Sequence, residues 1–161
     1  MSASQALDGS SILPSRTLIC FQLAFIDATI LLMIKRFLEW FGLKEKLHNA
    51  DNKPPLFKEG EIWWCAIGEN VGVEVNGKGR PFSRPVYIYK KLSANGFLGI
   101  PLSTSDKKGT WYVEISFQGK EAVANLAQIR VLSHLRMYEK MGSLDEADIA
   151  KIKNGFLRLY S

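Results

Sequence analysis

The chain has 161 residues, of which 47% are apolar and 23% charged, so it can bury the core of one ordinary domain and is not a disordered chain. Its formal net charge is +5, yet residues 76–108 alone carry +6 and the remainder sums to −1. Such a local basic patch, flanked by hydroxyl and aromatic side chains, indicates an anionic polymer such as RNA as ligand. A solvated basic surface without a ligand is the alternative.

Cysteine and histidine are too few and too scattered for a metal site. Cys20 and Cys65 lack metal-ligand spacing, and Cys65 lies in an apolar strand-like run where a buried, reduced thiol is expected. His48 and His134 are far apart in the sequence. We therefore expect no metal and no cofactor, and a reducing, cytoplasmic compartment.

Residues 1–32 are predicted to be an N-terminal extension outside the main domain. A polar, Ser-rich stretch leads into the apolar run 18–34, which contains Asp27. The run is slightly short for a membrane span and an Asp near its centre is costly, so we expect no membrane contact. The apolar run has three interpretations: a membrane anchor, a helix packed on the core, or a start codon placed too early, with Met33 as the true start.

Residues 33–55 are predicted to form an amphipathic helix and a linker. The helix runs from Ile34 to Leu47, and the linker ends in Pro54-Pro55. Its apolar stripe comprises Ile34, Phe37, Leu38 and Phe41, widened by Trp40 and Leu43. Such a helix covers a core or a partner, or lies on a membrane surface. The main domain is expected to span residues 56–161.

The main domain has the residue pattern of a β protein. The predicted strands are Glu61 to Ile67, Val86 to Tyr89, Phe97 to Leu102, Trp111 to Phe117 and Ala122 to Leu132. Asn95-Gly96 predicts a hairpin between the second and third strands. Several short strands joined by tight turns predict a small, strongly curved sheet or barrel.

A C-terminal helix is predicted to close the domain. Ser143 and Glu146 have the spacing of a capping box, with Ser143 at the N-cap. The apolar residues that follow at helical spacing are Leu144, Ile149, Ile152, Phe156 and Leu159. Gly155 weakens this helix slightly without ending the pattern.

Five segments, in this order, resemble the MazF/PemK family of toxins from toxin–antitoxin modules. They are GEIWWCAIGENVGVE, SRPVYIYKK, FLGIPLST, LAQIRVLS and KMGSLDEADIAKIK, and the resemblance extends from about Leu56 to Tyr160. It implies a mainly β fold with helices, namely an SH3-like barrel with a C-terminal helix, here preceded by an N-terminal helical extension. It also implies a homodimeric, metal-independent endoribonuclease that cleaves single-stranded RNA and is inhibited by a cognate antitoxin.

The resemblance also implies three catalytic residues. The family's Arg-Pro at the head of its second strand matches Arg84-Pro85, its Ser/Thr after a Pro-containing strand matches Thr104, and its Gly-x-Glu loop matches Glu74. The sequence departs from the family where Val75 replaces a frequent Gln and where a longer spacer adds a second Arg-Pro at Arg80. Arg84 is preferred because the apolar strand VYIY follows its proline directly.

The chemistry of metal-free RNA cleavage fits these residue types. The ribose 2′-OH attacks the adjacent phosphate, which requires a proton acceptor, cationic donors to the phosphorane and protonation of the leaving 5′-oxygen. The planar guanidinium of Arg84 matches phosphate oxygens, Thr104 donates a hydroxyl hydrogen bond, and Glu74 is the candidate base. The expected products are a 2′,3′-cyclic phosphate and a 5′-hydroxyl.

Further side chains are predicted to bind RNA. They are Lys78, Arg80, Ser103, Lys107, Lys108 and Gln128. Purely structural roles are the alternative: a surface salt bridge for Arg84, a strand-end hydrogen bond for Thr104, or pairing of Glu74 with an arginine. At the level of function, the alternatives are a non-catalytic RNA- or DNA-binding barrel module and a toxin that poisons DNA gyrase.

Overall fold

The structure is a computed structural model that describes residues 36–79 and 81–161. The predicted extension 1–32, which includes Cys20, lies outside the described residues, as do Met33, Ile34 of the predicted helix, and Arg80. Leu38–Ser161 forms one compact unit. Its elements are α1 (within 36–48), β1 (Glu61–Ala66), β2 (Ser83–Lys91), β3 (Gly96–Ser103), β4 (Tyr112–Phe117), β5 (Lys120–Asn125), β6 (Arg130–Ser133), β7 (Met137–Ser143) and α2 (Glu146–Tyr160).

The strands form one antiparallel sheet in the order β4-β5-β3-β2-β1-β7, with β6 paired to β3. β3 is the branch point, because it pairs with β2 over residues 97–101, with β6 over residues 96–99, and with β5 at Leu102 and Ser103. In the β2–β3 register Val86 lies opposite Pro101, so continuing that register places Arg84 opposite Ser103. The beginning of β2 and the end of β3 therefore meet at one place.

β2 is buried on both faces of the sheet. Tyr87 belongs to the core cluster beneath α2, which includes Ile152, whereas Val86 and Ile88 belong to a second cluster with Phe97. This arrangement explains the continuous apolar run VYIY, since successive side chains of a strand point to opposite faces and here both faces are covered.

Gly155 allows α2 to approach the sheet closely. A Cβ atom at this position would lie 2.7 Å from Cγ2 of Val113 and 3.0 Å from Cδ1 of Leu126, so a side chain does not fit without displacement. The glycine that weakens the helix in isolation is thus the residue that permits its packing.

The predicted strands and C-terminal helix are present, with three differences in detail. The predicted run Ala122 to Leu132 is two strands, because the 3-10 turn Leu126–Gln128 separates β5 from β6. β7 was not predicted. The predicted N-cap Ser143 is wrong, because Ser143 still pairs with Glu61 in the sheet; Asp145 is the N-cap and accepts a 2.7 Å hydrogen bond from the backbone N–H of Asp148.

The thiol of Cys65 is free and buried, as predicted. Burial raises its pKa to about 12, so the thiol stays protonated at neutral pH and behaves as a small apolar side chain.

α1 packs on the domain through Trp40 and Leu43, the residues that widen the predicted apolar side, and not through the stripe itself. Trp40 is buried against Ala66 and Phe82, with Leu43 and Leu47 beside it. Leu38 and Phe41 of the predicted stripe are 64% and 67% exposed. The indole of Trp40 lies over Gly68, where an added Cβ would come within 2.4 Å of the ring. The missing side chain of Gly68 therefore leaves the space that the Trp40 ring occupies.

Trp40 supports the base of the loop between β1 and β2, residues 67–82. Its ring centroid lies 5.6 Å from that of Phe82, a buried residue held at a φ of 47°. The carbonyl of Phe82 accepts hydrogen bonds from the N–H groups of Ile67 and Gly68, and the carbonyl of Gly68 accepts one from Gly77. Both ends of the loop are thereby joined directly beneath the indole.

Replacing Trp40 by Ala should loosen this loop before the sheet. Loss of the buried indole removes the packing that holds Phe82 in its left-handed conformation, at a cost of about 3–5 kcal/mol by analogy with buried aromatic deletions. In native-state hydrogen exchange, the amides of Gly68 and Gly77 should lose protection more than that of Ile88 in β2.

Phe41→Ala is the matched control on the same helix, since Phe41 is 67% exposed and its loss should change stability by about 0.5 kcal/mol or less. Trp40→Phe keeps a ring against Phe82 and should give an intermediate effect. Unchanged protection of Gly68 and Gly77 in Trp40→Ala would contradict the role given to the indole.

Glu61 is a buried carboxylate that links β1 to β7. It accepts hydrogen bonds from the indole N–H of Trp63 at 2.9 Å and the backbone N–H of Lys58 at 3.0 Å, and it forms a 2.6 Å ion pair with Lys140. Burial alone would raise the pKa of Glu61, but the bonds from Lys140, Trp63 and Lys58 outweigh it and hold the pKa below its ordinary value of 4.5.

Glu61→Gln should therefore destabilise the fold at neutral pH by about 1–3 kcal/mol, as expected for a lost charge-assisted bond in a buried site. Because the folded pKa is depressed, the contribution of the carboxylate is complete above about pH 4.5 and is lost as pH falls through the folded pKa. Urea unfolding at pH 7 and at pH 3 should thus show a smaller difference between variant and parent at the lower pH. Glu121→Gln, an exposed change in β5, is the control, and an equal difference at both pH values would refute the account.

Candidate active site

Two clefts meet where β2 begins and β3 ends. The polar cleft, of about 390 Å³, is lined by Val73, Glu74, Val75, Asn76, Lys78, Arg84, Pro101, Leu102, Ser103, Thr104, Ser105, Lys107, Tyr112 and Asn125. The apolar cleft, of about 520 Å³, shares Lys78, Arg84, Leu102, Ser103 and Thr104 with it and adds Ile62, Trp64, Gly79, Pro81, Ser83, Pro85, Phe117, Gln118, Lys120, Glu121, Ala122 and Met141. The three predicted catalytic residues, Glu74, Arg84 and Thr104, thus line one cavity.

Arg84 is fixed by backbone carbonyls rather than by a carboxylate. Its Nε and Nη2 donate to the carbonyl of Asn76 at 3.0 and 2.8 Å, and its Nη1 donates to the carbonyl of Leu102 at 3.4 Å. A guanidinium has five N–H donors, so two remain for a ligand. Burial lowers the pKa of Arg84, but an arginine stays protonated in proteins. The group is therefore a fixed positive charge with donors left to bind an anion.

Thr104 and Ser103 line the same part of the cleft as Arg84, at the end of β3. Ser103 ends β3, and its hydroxyl lies 2.7 Å from that of Ser105 and accepts from the backbone N–H of Ser105 at 3.3 Å. This local turn directs the chain out of the sheet directly after the strand. Thr104 is exposed at that turn, so its hydroxyl can reach a bound ligand.

Glu74 projects from the tip of the loop between β1 and β2. Its Oε2 accepts from the backbone N–H of Val71 at 3.2 Å, which closes a turn that also contains Gly72 at a φ of 61°. Inside the loop, the backbone N–H of Asn70 donates to Oδ1 of Asn76 at 2.7 Å, and Nδ2 of Asn70 donates to the carbonyl of Val75 at 2.8 Å. The loop is thus folded on itself rather than open.

Gln128 and Arg130 hold the other side of this loop. Gln128 Oε1 accepts from the N–H of Val75 at 3.1 Å, and Arg130 Nη2 donates to the carbonyl of Val75 at 3.3 Å. Burial lowers the pKa of Arg130, and the negative charge of Glu74 only partly opposes this shift. Gln128, predicted to bind RNA, therefore has an observed role in positioning the loop that carries Glu74.

The remaining predicted RNA-binding residues lie at different places. Lys78 is exposed and lines both clefts, whereas Lys107 lines the polar cleft with its Nζ 5.7 Å from the ring centroid of Tyr112. Lys108 lies outside both clefts, in a cavity between β4 and α2. Arg80 lies outside the described residues.

The predicted catalytic and RNA-binding residues omit three that line the polar cleft. Asn76 supplies the carbonyl that orients Arg84, which no side-chain pattern signals. Tyr112 is half-buried in the polar cleft, whereas the sequence leaves it open whether this aromatic packs in the core or faces the basic groove. Asn125 also lines the polar cleft and is buried, and its Oδ1 has no hydrogen-bond partner among the described residues.

Within residues 36–79 and 81–161, no group of three or more His, Cys, Asp or Glu side chains is arranged to hold a metal ion. Neither of the described helices has the length and apolar content that a membrane crossing requires.

Comparison with known proteins gives a family and a fold. The family model for the PemK-like, MazF-like toxin of type II toxin-antitoxin system matches residues 58–160. Among curated protein sequences, none matches this chain.

Among solved structures, the crystal structure of MazF (Form-I) from Deinococcus radiodurans is 17% identical with a TM-score of 0.55, covering 65% of this chain and 96% of its own. MazE-MazF (Form-II) from Deinococcus radiodurans is 14% identical with a TM-score of 0.50, covering 65% of this chain and 95% of that one. An endoribonuclease in complex with its cognate antitoxin from a mycobacterial species is 14% identical with a TM-score of 0.49, covering 62% and 90%.

At these identities the two structures from Deinococcus radiodurans show a shared fold and no more. The family match covers well over half of the chain, from just before β1 to the last residue of α2. The chain therefore belongs to the PemK-like, MazF-like toxins of type II toxin–antitoxin systems.

Proposed function

We propose that this toxin is a metal-independent endoribonuclease that cleaves single-stranded RNA, including mRNA, in the polar cleft. The observation that carries the proposal is the convergence of the Arg84 guanidinium, the Thr104 hydroxyl and the Glu74 carboxylate on one cavity. A cation, a hydroxyl and a carboxylate are the groups that attack by a ribose 2′-OH requires.

Arg84 stabilises the phosphorane in this mechanism. Its three bonds to Asn76 and Leu102 fix the plane of the guanidinium, and the two remaining N–H groups match two equatorial oxygens of the transition state. Because these donors are already oriented, little reorganisation is needed when negative charge develops. Thr104, at the adjoining end of β3, donates a further hydrogen bond.

Glu74 accepts the proton of the 2′-OH. Its carboxylate is exposed at the loop tip and is acceptor-only when ionised, and its position is set by the turn to Val71 and by the bonds from Gln128 and Arg130 to Val75. Attack then forms the bond between the 2′-oxygen and phosphorus and breaks the bond between phosphorus and the 5′-oxygen, which gives a 2′,3′-cyclic phosphate. The leaving 5′-oxygen takes a proton from water to become a 5′-hydroxyl.

The proposed protein partner is a cognate antitoxin that blocks the site in the cytoplasm. The apolar cleft supports this, because it adjoins Arg84 and Thr104 and offers Trp64, Phe117 and Met141 to the side chains of a bound peptide. MazF of Deinococcus radiodurans, which has the same fold, was solved with MazE. A peptide seated in the apolar cleft would cover the shared wall of the polar cleft.

We also propose that the toxin forms a homodimer. Trp111, Leu157 and Tyr160 are 49%, 60% and 51% exposed, and both Trp111 and Tyr160 contact Leu126: its N–H donates to the carbonyl of Trp111, and its carbonyl accepts from the Tyr160 hydroxyl. Exposed aromatics of this size at one place are typical of a protein interface.

Arg84→Ala should lower kcat for cleavage of a long single-stranded RNA by at least about 10²–10³-fold, the loss expected for a fixed transition-state donor. Assays contain EDTA, and the parent protein should cleave equally well with and without it. Circular dichroism should show an unchanged fold, because the bonds of Arg84 lie at the cleft surface. Discrete fragments from the parent are the expected product.

Arg84→Lys keeps the charge without the planar fork and should stay close to Arg84→Ala. Lys153→Ala removes a cation from the exposed side of α2, and this variant should cleave RNA like the parent. Full activity of Arg84→Ala would overturn the assignment, and RNA binding by the parent without fragments would instead favour a non-catalytic binding module.

A further inference from the structure

A second basic groove adjoins the polar cleft. This helix groove, a cavity of about 690 Å³, lies between β4 and α2 and shares Lys107 and Tyr112 with the polar cleft. It extends past Lys108 to Asn154 and Arg158 on α2. Because two residues line both cavities, a chain that leaves the polar cleft past Tyr112 enters the helix groove directly.

The charges in this groove favour an anionic chain. Lys107, Lys108 and Arg158 are exposed on its walls, whereas Glu114 is its one acid among the described residues. Lys151 also lines the groove, but its Nζ is bound to Asp148 at 2.6 Å, so its charge is largely matched. Lys108 and Arg158 therefore provide the cations for a phosphate chain on the far side of Tyr112.

The other exit from the polar cleft has the opposite character. A cavity of about 300 Å³ shares Thr104 and Ser105 with the polar cleft and contains Asp106, Glu114 and Glu121 against the single cation Lys151. A phosphate backbone that took this exit would meet three carboxylates. Of these two exits, the helix groove is therefore the one whose charge suits a phosphate backbone.

We propose that single-stranded RNA bound in the polar cleft continues into the helix groove, where Lys108 and Arg158 contact its phosphates and Tyr112 stacks on a base between the two cavities. The inference rests on the proposed ribonuclease function and extends it to an RNA-binding surface on α2. The cation of Lys107, 5.7 Å from the Tyr112 ring centroid, lies beside the stacked base and its phosphate.

The helix groove should strengthen the binding of long RNA and leave the binding of short RNA unchanged. An oligonucleotide of about 4 nucleotides, the smallest site size seen on small single-strand-binding barrels, fills the polar cleft alone, whereas one of about 16 nucleotides also reaches α2. Contacts at Lys108 and Arg158 should therefore appear in the affinity and salt dependence of the longer RNA.

The test compares Lys108→Ala/Arg158→Ala with Lys46→Ala/Lys153→Ala, two double variants of the full chain that remove the same net charge. Lys46 and Lys153 are exposed and line none of the clefts described above. Binding is measured by fluorescence anisotropy with labelled 2′-fluoro RNAs of the two lengths, which lack the nucleophilic hydroxyl, across a range of salt concentrations.

For the longer RNA, the groove variant should weaken binding and make the slope of log affinity against log salt less steep by about 1.4, or 0.7 for each lost phosphate contact. The shorter RNA should bind the groove variant and the control variant equally. Tyr112→Leu should weaken binding of both RNAs, because Tyr112 lines both cavities.

Identical binding of the longer RNA by the two double variants, or an equal loss for both RNA lengths, would overturn this inference. If the parent cleaves RNA and the groove variant binds like the control, the inference fails while the proposed function stands. If the groove variant shows the predicted change in salt slope for the longer RNA but the parent cleaves no RNA, the proposed function fails and the groove stands. An absence of RNA binding by the parent would overturn both.

Discussion

The contact between the Arg84 guanidinium and the Asn76 carbonyl is the interaction on which the site depends. It joins the first residues of β2 to the middle of the loop that precedes that strand, and it turns a flexible side chain into a fixed cation. A carbonyl acceptor, unlike a carboxylate, orients the guanidinium without neutralising its charge. The positive charge thus remains available to a ligand. The same bond also fixes both Asn76 and Arg84 in the lining of the polar cleft.

That contact is useful because the loop is held from two directions. On the inner side Gln128 and Arg130 bind the backbone of Val75, one residue from Glu74 and one from Asn76. On the outer side Trp40 packs on Phe82, where the two ends of the loop are hydrogen-bonded together. The inner support lies inside the family match of residues 58–160, whereas α1 precedes it, so this chain adds a brace outside the family domain.

The parts of the structure that were predictable are those set by short-range pattern. The run VYIY after Arg84 and the run ending at Thr104 indicated two strands, and antiparallel pairing then brings their ends together, as the β2–β3 register confirms. Whether Arg84 and Thr104 act in catalysis stays a prediction. The loop's own hydrogen bonds were not predictable, because backbone carbonyls such as that of Asn76 leave no mark in a sequence. Which residues of the predicted apolar side of α1 pack on the domain was not predictable, because the space for the Trp40 indole comes from the missing side chain of Gly68, 28 positions later.

We propose that the site cleaves RNA through the ribose 2′-OH with Arg84 on the phosphate. Analysis of the ends of the fragments tests it most directly, because this route and direct attack by water leave different groups. RNA fragments made by the purified toxin in EDTA should carry a 2′,3′-cyclic phosphate and a 5′-hydroxyl, so that a 5′ kinase labels them without prior phosphatase treatment. Fragments with a 3′-hydroxyl and a 5′-phosphate would contradict the claim.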